Sequence, residues 1–492
     1  MGIRLYTAEQ VRALDRAAIV SLGISGHVLM QRAAAGAWRV LRARWPLARR
    51  IVVVCGSGNN GGDGYLLAAI AREARMEARV IAPVAPRNAG DAVRARLEWL
   101  AMGGTILDPD ERFPDADVYV DALFGTGLTR PVDGTARALI DALNASRRPV
   151  LALDVPSGID SDTGNVQGAA VRAEATVSFV AQKRGLFTGP ALNHRGELTL
   201  DTLGLPDNLY KSSQPDARLL DMRRMIGWLP PRQADAHKGD FGHVLAIGGE
   251  LGLAGAIRLC GEAALRTGAG LVSVATRAEN VLALNAARPE LMAHGIKDAL
   301  ALAPLLQRAN VVALGPGLGQ SEWSRALWQT ALAAGKPTVL DADALNLIAR
   351  KPAQLPPHTV LTPHPGEAAR LLGKDAAAVN ADRFASAREL ARTYHSVIVL
   401  KGAGTVIAHP EGDVAVCPWG NPGMASGGMG DVLTGVIAAL LAQGLNAWRA
   451  ARLGVGLHAQ AGDAAATMGG QAGLLAADLF PQLRKLRNAH DG

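Results

Sequence analysis

Two glycine-rich segments of unlike composition hold the residues of this chain best suited to chemistry. The first, Gly56-Ser57-Gly58-Asn59-Asn60-Gly61-Gly62-Asp63-Gly64, follows an apolar run from Ile51 to Cys55. The second, Asn421-Pro422-Gly423-Met424-Ala425-Ser426-Gly427-Gly428-Met429-Gly430-Asp431, precedes an apolar run from Val432 to Leu441. Glycine lets backbone N–H groups approach and curl around an anion as no residue with a Cβ can. Neither segment is the common phosphate loop, because Gly-Lys-Ser and Gly-Lys-Thr are absent from the chain. Two different anion cradles on one polypeptide imply two active sites.

The first segment contains Gly-x-Gly-x-x-Gly after a strand, a dinucleotide pattern that is weak by itself. A dinucleotide site of the ordinary dehydrogenase kind also wants an acid at the end of the second strand. That end reads Val80-Ile81-Ala82-Pro83, so the expectation is against such a dehydrogenase. The Asn-Asn-Gly-Gly-Asp-Gly extension supplies amides and a carboxylate that suit a cation as well as phosphate oxygens. Asp121 and Asp154 each end an apolar strand, before Ala122-Leu123-Phe124-Gly125-Thr126-Gly127 and Val155-Pro156-Ser157-Gly158. Either alone reads as a turn or cap aspartate; both beside one glycine loop read as a site. Lys183, in a chain with nine lysines and 42 arginines, stands before a glycine turn that favours a compact ammonium.

In the second half Asp431 stands at a helix start, where free N–H groups and the dipole favour an anion. It reads either as a helix cap or as a general base for a hydroxyl attacking a phosphoryl group, with glycine N–H groups holding the developing charge. Lys401-Gly402-Ala403-Gly404-Thr405 offers a lysine and a turn for a nucleotide, Thr362-Pro363-His364 a rigidly held imidazole, and Asp341-Ala342-Asp343 a seat for Mg²⁺. Gly248-Gly249 and Gly315-Pro316-Gly317 are further close-approach turns.

These residues need strand ends to hold them. Val/Ile/Leu runs at 51–55, 78–82, 117–121, 149–154 and 175–180 alternate with helical patterns at 7–21, 26–44, 62–75, 89–102 and 134–144. That alternation predicts a parallel sheet covered on both faces, with ligands at the carboxyl ends of strands. Prolines and polar residues between 205 and 235 break the pattern, placing a boundary near 214–220. Beyond it the pattern restarts, with strands at 243–247, 271–275, 310–314, 337–341, 358–362, 396–401 and 404–408. Helices are expected at 254–267, 277–287, 322–334, 343–349, 366–372, 380–394, 430–443 and 447–467.

Length and composition agree with that division. The 492 residues exceed one ordinary core, and 49% hydrophobic with 19% charged residues is a globular balance. Three scattered cysteines, Cys55, Cys260 and Cys417, form neither a disulfide framework nor a metal pair, which predicts a reducing compartment. The opening residues lack an apolar signal core and no apolar run of about 18 residues follows, so a soluble cytoplasmic protein is expected, without a membrane partner. A net charge of +7 spread over scattered arginines, without interleaved aromatics, argues against nucleic acid and suits anionic small molecules.

The Gly-Asn-Asn-Gly-Gly-Asp-Gly segment, Asp121 to Gly127 and Asp154 to Asp160 together resemble the NAD(P)HX epimerase domain, a family that interconverts the epimers of hydrated NADH and NADPH. The resemblance implies that Asn59, Asn60, Gly61, Gly62 and Asp63, with Gly125, Thr126, Gly127, Leu128, Thr129, Arg130 and Pro131, line the hydrated nucleotide. It also implies K⁺ ligands at Asn60, Asp121 and Ser157, substrate contact near the reacting carbon from Asp154, and a catalytic role for Lys183.

The second set, with Ala236-His237-Lys238-Gly239-Asp240-Phe241-Gly242, resembles the ribokinase-like ADP/ATP-dependent NAD(P)HX dehydratase domain. That family uses a nucleotide phosphate to activate and eliminate the added hydroxyl, regenerating NAD(P)H. The resemblance implies Ala256, Gly317, His364 and Asp431 for the hydrate, with Asp431 as base, and Lys401, Gly402, Ala403, Gly404, Thr405 and Gly430 for ADP or ATP with Mg²⁺. Met429 departs from the small residue expected before the last glycine.

The combined expectation is an α/β protein with a Rossmann-like doubly wound sheet at 1–215 and a ribokinase-like α/β domain at 216–492. Its substrates would be NADHX and NADPHX, worked on in two successive steps, and the protein would assemble as a homo-oligomer. A small-molecule kinase with a nucleotide-sensing first half, and a non-catalytic binding protein, remain open at this point.

Overall fold

The computed structural model describes residues 2–86, 90–109, 113–211 and 213–489. Contacts divide the chain into one unit from Arg4 to Ala217 and another from Arg218 to Gly492 that also holds the first three residues.

The first unit is built on seven parallel strands in the order Ile106–Leu107, Glu77–Ile81, Arg50–Cys55, Val118–Ala122, Val150–Leu153, Ala175–Phe179, Glu197–Asp201. The Arg50–Cys55 and Val118–Ala122 strands are neighbours from which the sheet grows outward in both directions. Their carboxyl ends therefore border the switch-point crevice of a doubly wound sheet. The inner strands are buried on both faces, which is why they read as continuous apolar runs.

In the second unit the parallel strands run Met292–Gly295, Leu271–Thr276, His243–Ile247, Val311–Leu314, Thr338–Leu340, Val360–Leu361, Val397–Leu400. Val406–Ala408 and Val414–Val416 then continue the sheet antiparallel. Here the switch point falls between His243–Ile247 and Val311–Leu314, which lead into Gly248-Gly249 and Gly315-Pro316-Gly317. Those turns touch: Gly249 N–H donates to Pro316 O at 3.2 Å and Glu250 N–H to Gly317 O at 2.6 Å. The Met429–Ala442 helix is apolar on all sides because it lies inside the core.

Short or atypical strands escaped the sequence pattern. Met292-Ala293-His294-Gly295 has little β-propensity, Val414–Val416 is three residues long, and Glu197–Asp201 is a half-exposed terminal strand. The Ala299–Arg308 helix is masked by its internal Pro304. The expected helix 380–394 is two helices, Ala376–Ala381 and Arg383–Tyr394, separated where Asp382 accepts from Ala385 N–H and caps the second. The expected helix 89–102 begins on a residue outside those described, and the described helix is Asp91–Ala101.

Candidate active sites

The Arg50–Cys55 strand passes through Gly56, whose N–H donates to Ala122 O at 2.9 Å, into a helix spanning Asn59–Glu73. The sequence places that helix at 62, but Asn59 to Gly64 already form its first turns. None of its glycines adopts a positive φ; closeness is what requires them. A Cβ on Gly56 would lie 1.9 Å from Leu123 O, and one on Gly61 1.9 Å from Gly56 O. The segment is thus a tightly packed strand-to-helix junction. Gly62 N–H makes the first helical bond, to Gly58 O, so the N–H groups of the helix's first three residues have no place in its own ladder and suit an anion.

Asp121 ends the neighbouring strand, fully buried, and holds Ser157. It accepts from Ser157 N–H at 2.7 Å and from the Ser157 hydroxyl at 2.6 Å. Burial pushes its carboxyl up to about 6 against the pull of those bonds. Ser157 Oγ also accepts from Phe124 N–H at 2.8 Å, fixing the loop that carries Gly125. A Cβ on Gly125 would lie 3.2 Å from Asp154 Oδ2 and 3.5 Å from the Asn60 side chain, so this glycine lets the two side chains close around it. The Asn60 amide is buried, and among the described residues neither its oxygen nor its nitrogen is bonded.

Asp154 follows the Val150–Leu153 strand with φ +66, a strained backbone for a residue other than glycine. Its Oδ1 accepts from Phe179 N–H at 3.2 Å and is ion-paired to the wholly buried Lys183 ammonium. That ammonium also donates to Ser178 Oγ at 3.0 Å and Phe179 O at 2.7 Å. Asp63 is buried alongside; desolvation, reinforced by Asp154 and Asp15, raises its carboxyl well above the usual range.

A cavity of about 510 Å³ opens over these groups. Asn59, Asn60, Asp63, Gly125, Thr126, Gly127, Leu128 and Asp154 line it, whereas Gly61 and Gly62, packed against Gly56 and Met30, and Thr129, Arg130 and Pro131 do not reach its wall. One wall comes from the Ala8–Leu22 helix, which contributes Val11, Arg12 and Asp15. The sequence reading missed Asp15. The signal was there: Val11, Leu14 and Ala18 form the buried stripe, and Asp15 interrupts it at helical spacing.

In the second unit Asp431 is the third residue of the Met429–Ala442 helix, and Gly428 with φ +89 occupies the capping position. The capping reading of Asp431 therefore gives way. Lys401, just past the Val397–Leu400 strand, places its ammonium 2.6 Å from Asp341 Oδ1 and 3.7 Å from Glu367. Asp341 Oδ2 accepts from Thr434 Oγ1 at 2.9 Å. Burial would raise the Asp341 carboxyl, but Lys401 and these bonds hold it below its ordinary value. Asp431 has the opposite fate: desolvation first, then the negative charge of Asp341, push it up to about 7.

The other predicted positions surround this group. Ala256 and Gly317 meet, a Cβ on Gly317 lying 3.1 Å from the Ala256 methyl. His364 caps the Pro365–Leu372 helix; its Nδ1 accepts from Gly366 N–H at 3.0 Å, so a neutral ring carries its proton on Nε2. Gly402, at φ +135, and Thr405, which donates to Gly402 O at 3.1 Å, form the turn after Lys401. The guanidinium of Arg383 fixes that turn by donating to Leu400 O and Lys401 O. Met429 is absorbed into the core, and its carbonyl meets His458 Nε2 at 3.0 Å. Desolvation lowers His458 to about 4, so it is neutral and donates that bond.

Comparison with known proteins adds an independent line. Residues 244–485 match the NAD(P)H-hydrate dehydratase family and residues 26–185 the family of YjeF-related protein N-termini. The bifunctional NAD(P)H-hydrate repair enzyme of Coxiella burnetii is 49% identical over 98% of this chain and 99% of its own length. Its Escherichia coli counterpart is 44% identical over 98% of this chain and 94% of its own. A ribokinase-like superfamily protein from Enterococcus faecalis is 31% identical over 56% of this chain and 96% of its own, with a TM-score of 0.52.

Proposed function

The chain belongs to the bifunctional NAD(P)H-hydrate repair enzymes, with an epimerase and a dehydratase domain, and from that premise we propose how its residues divide the two reactions. Residues 1–215 epimerise the hydrate and residues 216–492 dehydrate its S form. The observation that carries this reading is the Asp431 arrangement: a carboxyl raised to about 7 at a helix N-terminus, beside a buried Lys401–Asp341 pair. A base poised near the working pH is what deprotonating a hydroxyl requires.

In the second unit, Ala256, Gly317 and His364 bind the hydrated ring. Lys401 to Thr405 and Gly430 bind ADP or ATP. Asp431 takes the proton from the ring hydroxyl as its oxygen attacks the terminal phosphoryl group, and backbone N–H groups of Gly427 to Gly430 hold the developing charge. The phosphorylated oxygen then leaves as phosphate, a proton leaves the adjacent ring carbon, and the double bond returns. Asp341 is engaged by Lys401 and Thr434, so Mg²⁺ arrives with the nucleotide phosphates.

In the first unit, Asn59, Asn60 and Asp63 with Gly125 to Leu128 hold the nucleotide, while Asp154 acts at the reacting carbon, positioned by the buried Lys183 ammonium. Asn60, Asp121 and Ser157 hold K⁺; an all-oxygen set with an unpaired buried amide suits a hard monovalent cation. When bound, the cation supplies fixed positive charge beside the substrate. No helix among the described residues is long and apolar enough to cross a membrane, and the three cysteines are free and buried, in keeping with a cytoplasmic setting. A homo-oligomeric assembly completes the reading.

The test is an assay on separated R and S hydrates of NADH and NADPH with ADP or ATP, following NAD(P)H absorbance. S hydrate recovers absorbance with nucleotide, and R hydrate does so after conversion to S. A stable phosphorylated product without recovery would instead identify a kinase.

A further inference from the structure

We propose that Asp15 is the second proton-transfer carboxylate of epimerisation, acting on the face of the hydrated ring opposite Asp154. The proposal rests on the reading of the first unit's cavity as the epimerase site. Three observations carry it. Asp15 lines that cavity from the Ala8–Leu22 helix, whereas Asp154 reaches it from a strand end, so the two carboxyls enter on different elements. The helix is anchored there: Ala8 N–H donates to Asp162 Oδ1 at 2.6 Å, and Arg12 donates to Thr126 O at 3.3 Å. Finally, Asp121 is committed, held by both Ser157 donors, whereas Asp154 is engaged through Oδ1 alone and keeps Oδ2 beside Gly125 on the cavity wall. Among the described residues no hydrogen bond engages the Asp15 carboxyl.

The chemistry needs such a pair. In the hydrate, the hydroxyl sits on the carbon next to the ring nitrogen. Inverting that carbon requires one C–O bond to break on one face and another to form on the opposite face. In one direction, protonated Asp15 gives its proton to the hydroxyl, which departs as water while the nitrogen lone pair closes a C=N bond. A second water then adds to the other face, Asp154 accepts its proton, and the C=N electrons return to nitrogen. Solvent exchange returns the proton to Asp15, and in the reverse direction the two carboxyls swap roles.

The surroundings tune Asp15 for this. Desolvation and Asp154 raise it to about 6, while Lys183 and Arg16 oppose the rise. Asp63 on the Asn59–Glu73 helix and Tyr210 also face it electrostatically, and Arg12 and Asp15 share the cavity wall. Complete burial raises Asp63 well above the usual carboxylate range. Asp15, raised to about 6, can cycle near neutral pH.

The experiment measures interconversion of R and S hydrates by the full chain, separating epimers by chromatography, for wild type, Asp15→Asn and Asp15→Glu. Wild-type epimerisation itself tests the site reading; no interconversion there would fail that reading independently. For Asp15→Asn, kcat is expected to fall by roughly a hundredfold or more with KM little changed, as loss of an acid–base group does. The wild-type limb near pH 6 should vanish from the residual rate. Asp15→Glu should restore part of kcat, and urea unfolding of both variants should match wild type. An Asp15→Asn enzyme within threefold of wild type with the same limb overturns the proposal. So does a loss confined to KM, or a loss in both variants that tracks unfolding.

Discussion

The Lys401 ammonium stands 2.6 Å from Asp341 Oδ1, and Gly430 passes so near that a Cβ there would lie 3.2 Å from that ammonium. A side chain at the position before Asp431 would therefore crowd the Lys401–Asp341 pair, which packs under the helix start. The same pair sets the charge at Asp431: Asp341 raises it and Lys401 lowers it, on top of desolvation. Replacing Lys401 by Met should leave Asp341 buried without its partner. A loss of about 3–5 kcal/mol in the second unit is expected, with partial recovery in Lys401→Met/Asp341→Asn. Chemical unfolding of the four proteins in this cycle measures it; additive losses would show that the pair is not coupled.

Asp431→Asn keeps the shape of the helix start but removes the base. S-hydrate dehydration should fall by roughly 10²- to 10⁴-fold, while R-to-S epimerisation proceeds at the wild-type rate. Conversely, Asp121→Ala should leave dehydration of pure S hydrate intact. A variant of either kind that disables both reactions equally would contradict the division of labour.

The pH behaviour of Asp431 follows from its raised carboxyl. The base must be ionised, so dehydration should rise with pH through about 7. Stability runs the other way. A carboxyl near 7 when folded and 3.8 when unfolded binds more protons in the folded state, so its contribution declines as pH climbs across that window. Asp431→Asn should therefore melt higher than wild type at pH 8, by roughly 2–4 °C for each kcal/mol relieved, and alike at pH 4. Equal melting temperatures at both pH values would mean that Asp431 is not desolvated.

Much of this was legible in the chain because parallel strands buried on both faces read as apolar runs, and their polar carboxyl ends stand out. Asp121, Asp154 and Lys401 surfaced that way, and Asp431 through the glycine-rich segment before an apolar helix. What stayed hidden depends on contacts remote in sequence. Nothing local to Lys401 indicates that it pairs with Asp341, 60 positions away. Asp15 lies on a helix whose apolar stripe has an ordinary structural explanation until the fold turns it toward Asp154. The glycines of the first segment read as a cradle preceding a helix at 62, yet the helix begins at Asn59 and its close packing excludes side chains at Gly61 and Gly64.

That distinction is testable at Gly61 and Gly58. A Cβ on Gly61 would press 1.9 Å from a carbonyl oxygen of Gly56, whereas one on Gly58 meets nothing within 4 Å. Gly61→Ala should destabilise the first unit by about 3 kcal/mol or more, since backbone cannot yield as a side chain can. Gly58→Ala should stay within about 0.5 kcal/mol of wild type. Thermal unfolding compares them; equal, small effects would show that the segment is not closely packed.

Asn60 offers a test of the cation that does not depend on turnover. Its buried amide has no partner among the described residues, and an unpaired buried polar group costs about 1–3 kcal/mol. If K⁺ supplies the partner, wild type should melt at a lower temperature in tetramethylammonium chloride than in potassium chloride of equal strength. Asn60→Leu removes both the unsatisfied amide and the ligand. It should melt above wild type in tetramethylammonium, and the difference should shrink as K⁺ replaces that ion. Epimerisation by Asn60→Leu should also lose its response to K⁺, while wild type gains rate along the same titration. Wild-type melting and epimerisation that ignore K⁺ altogether would remove the cation from this site and leave Asp121 and Ser157 as a purely structural pair.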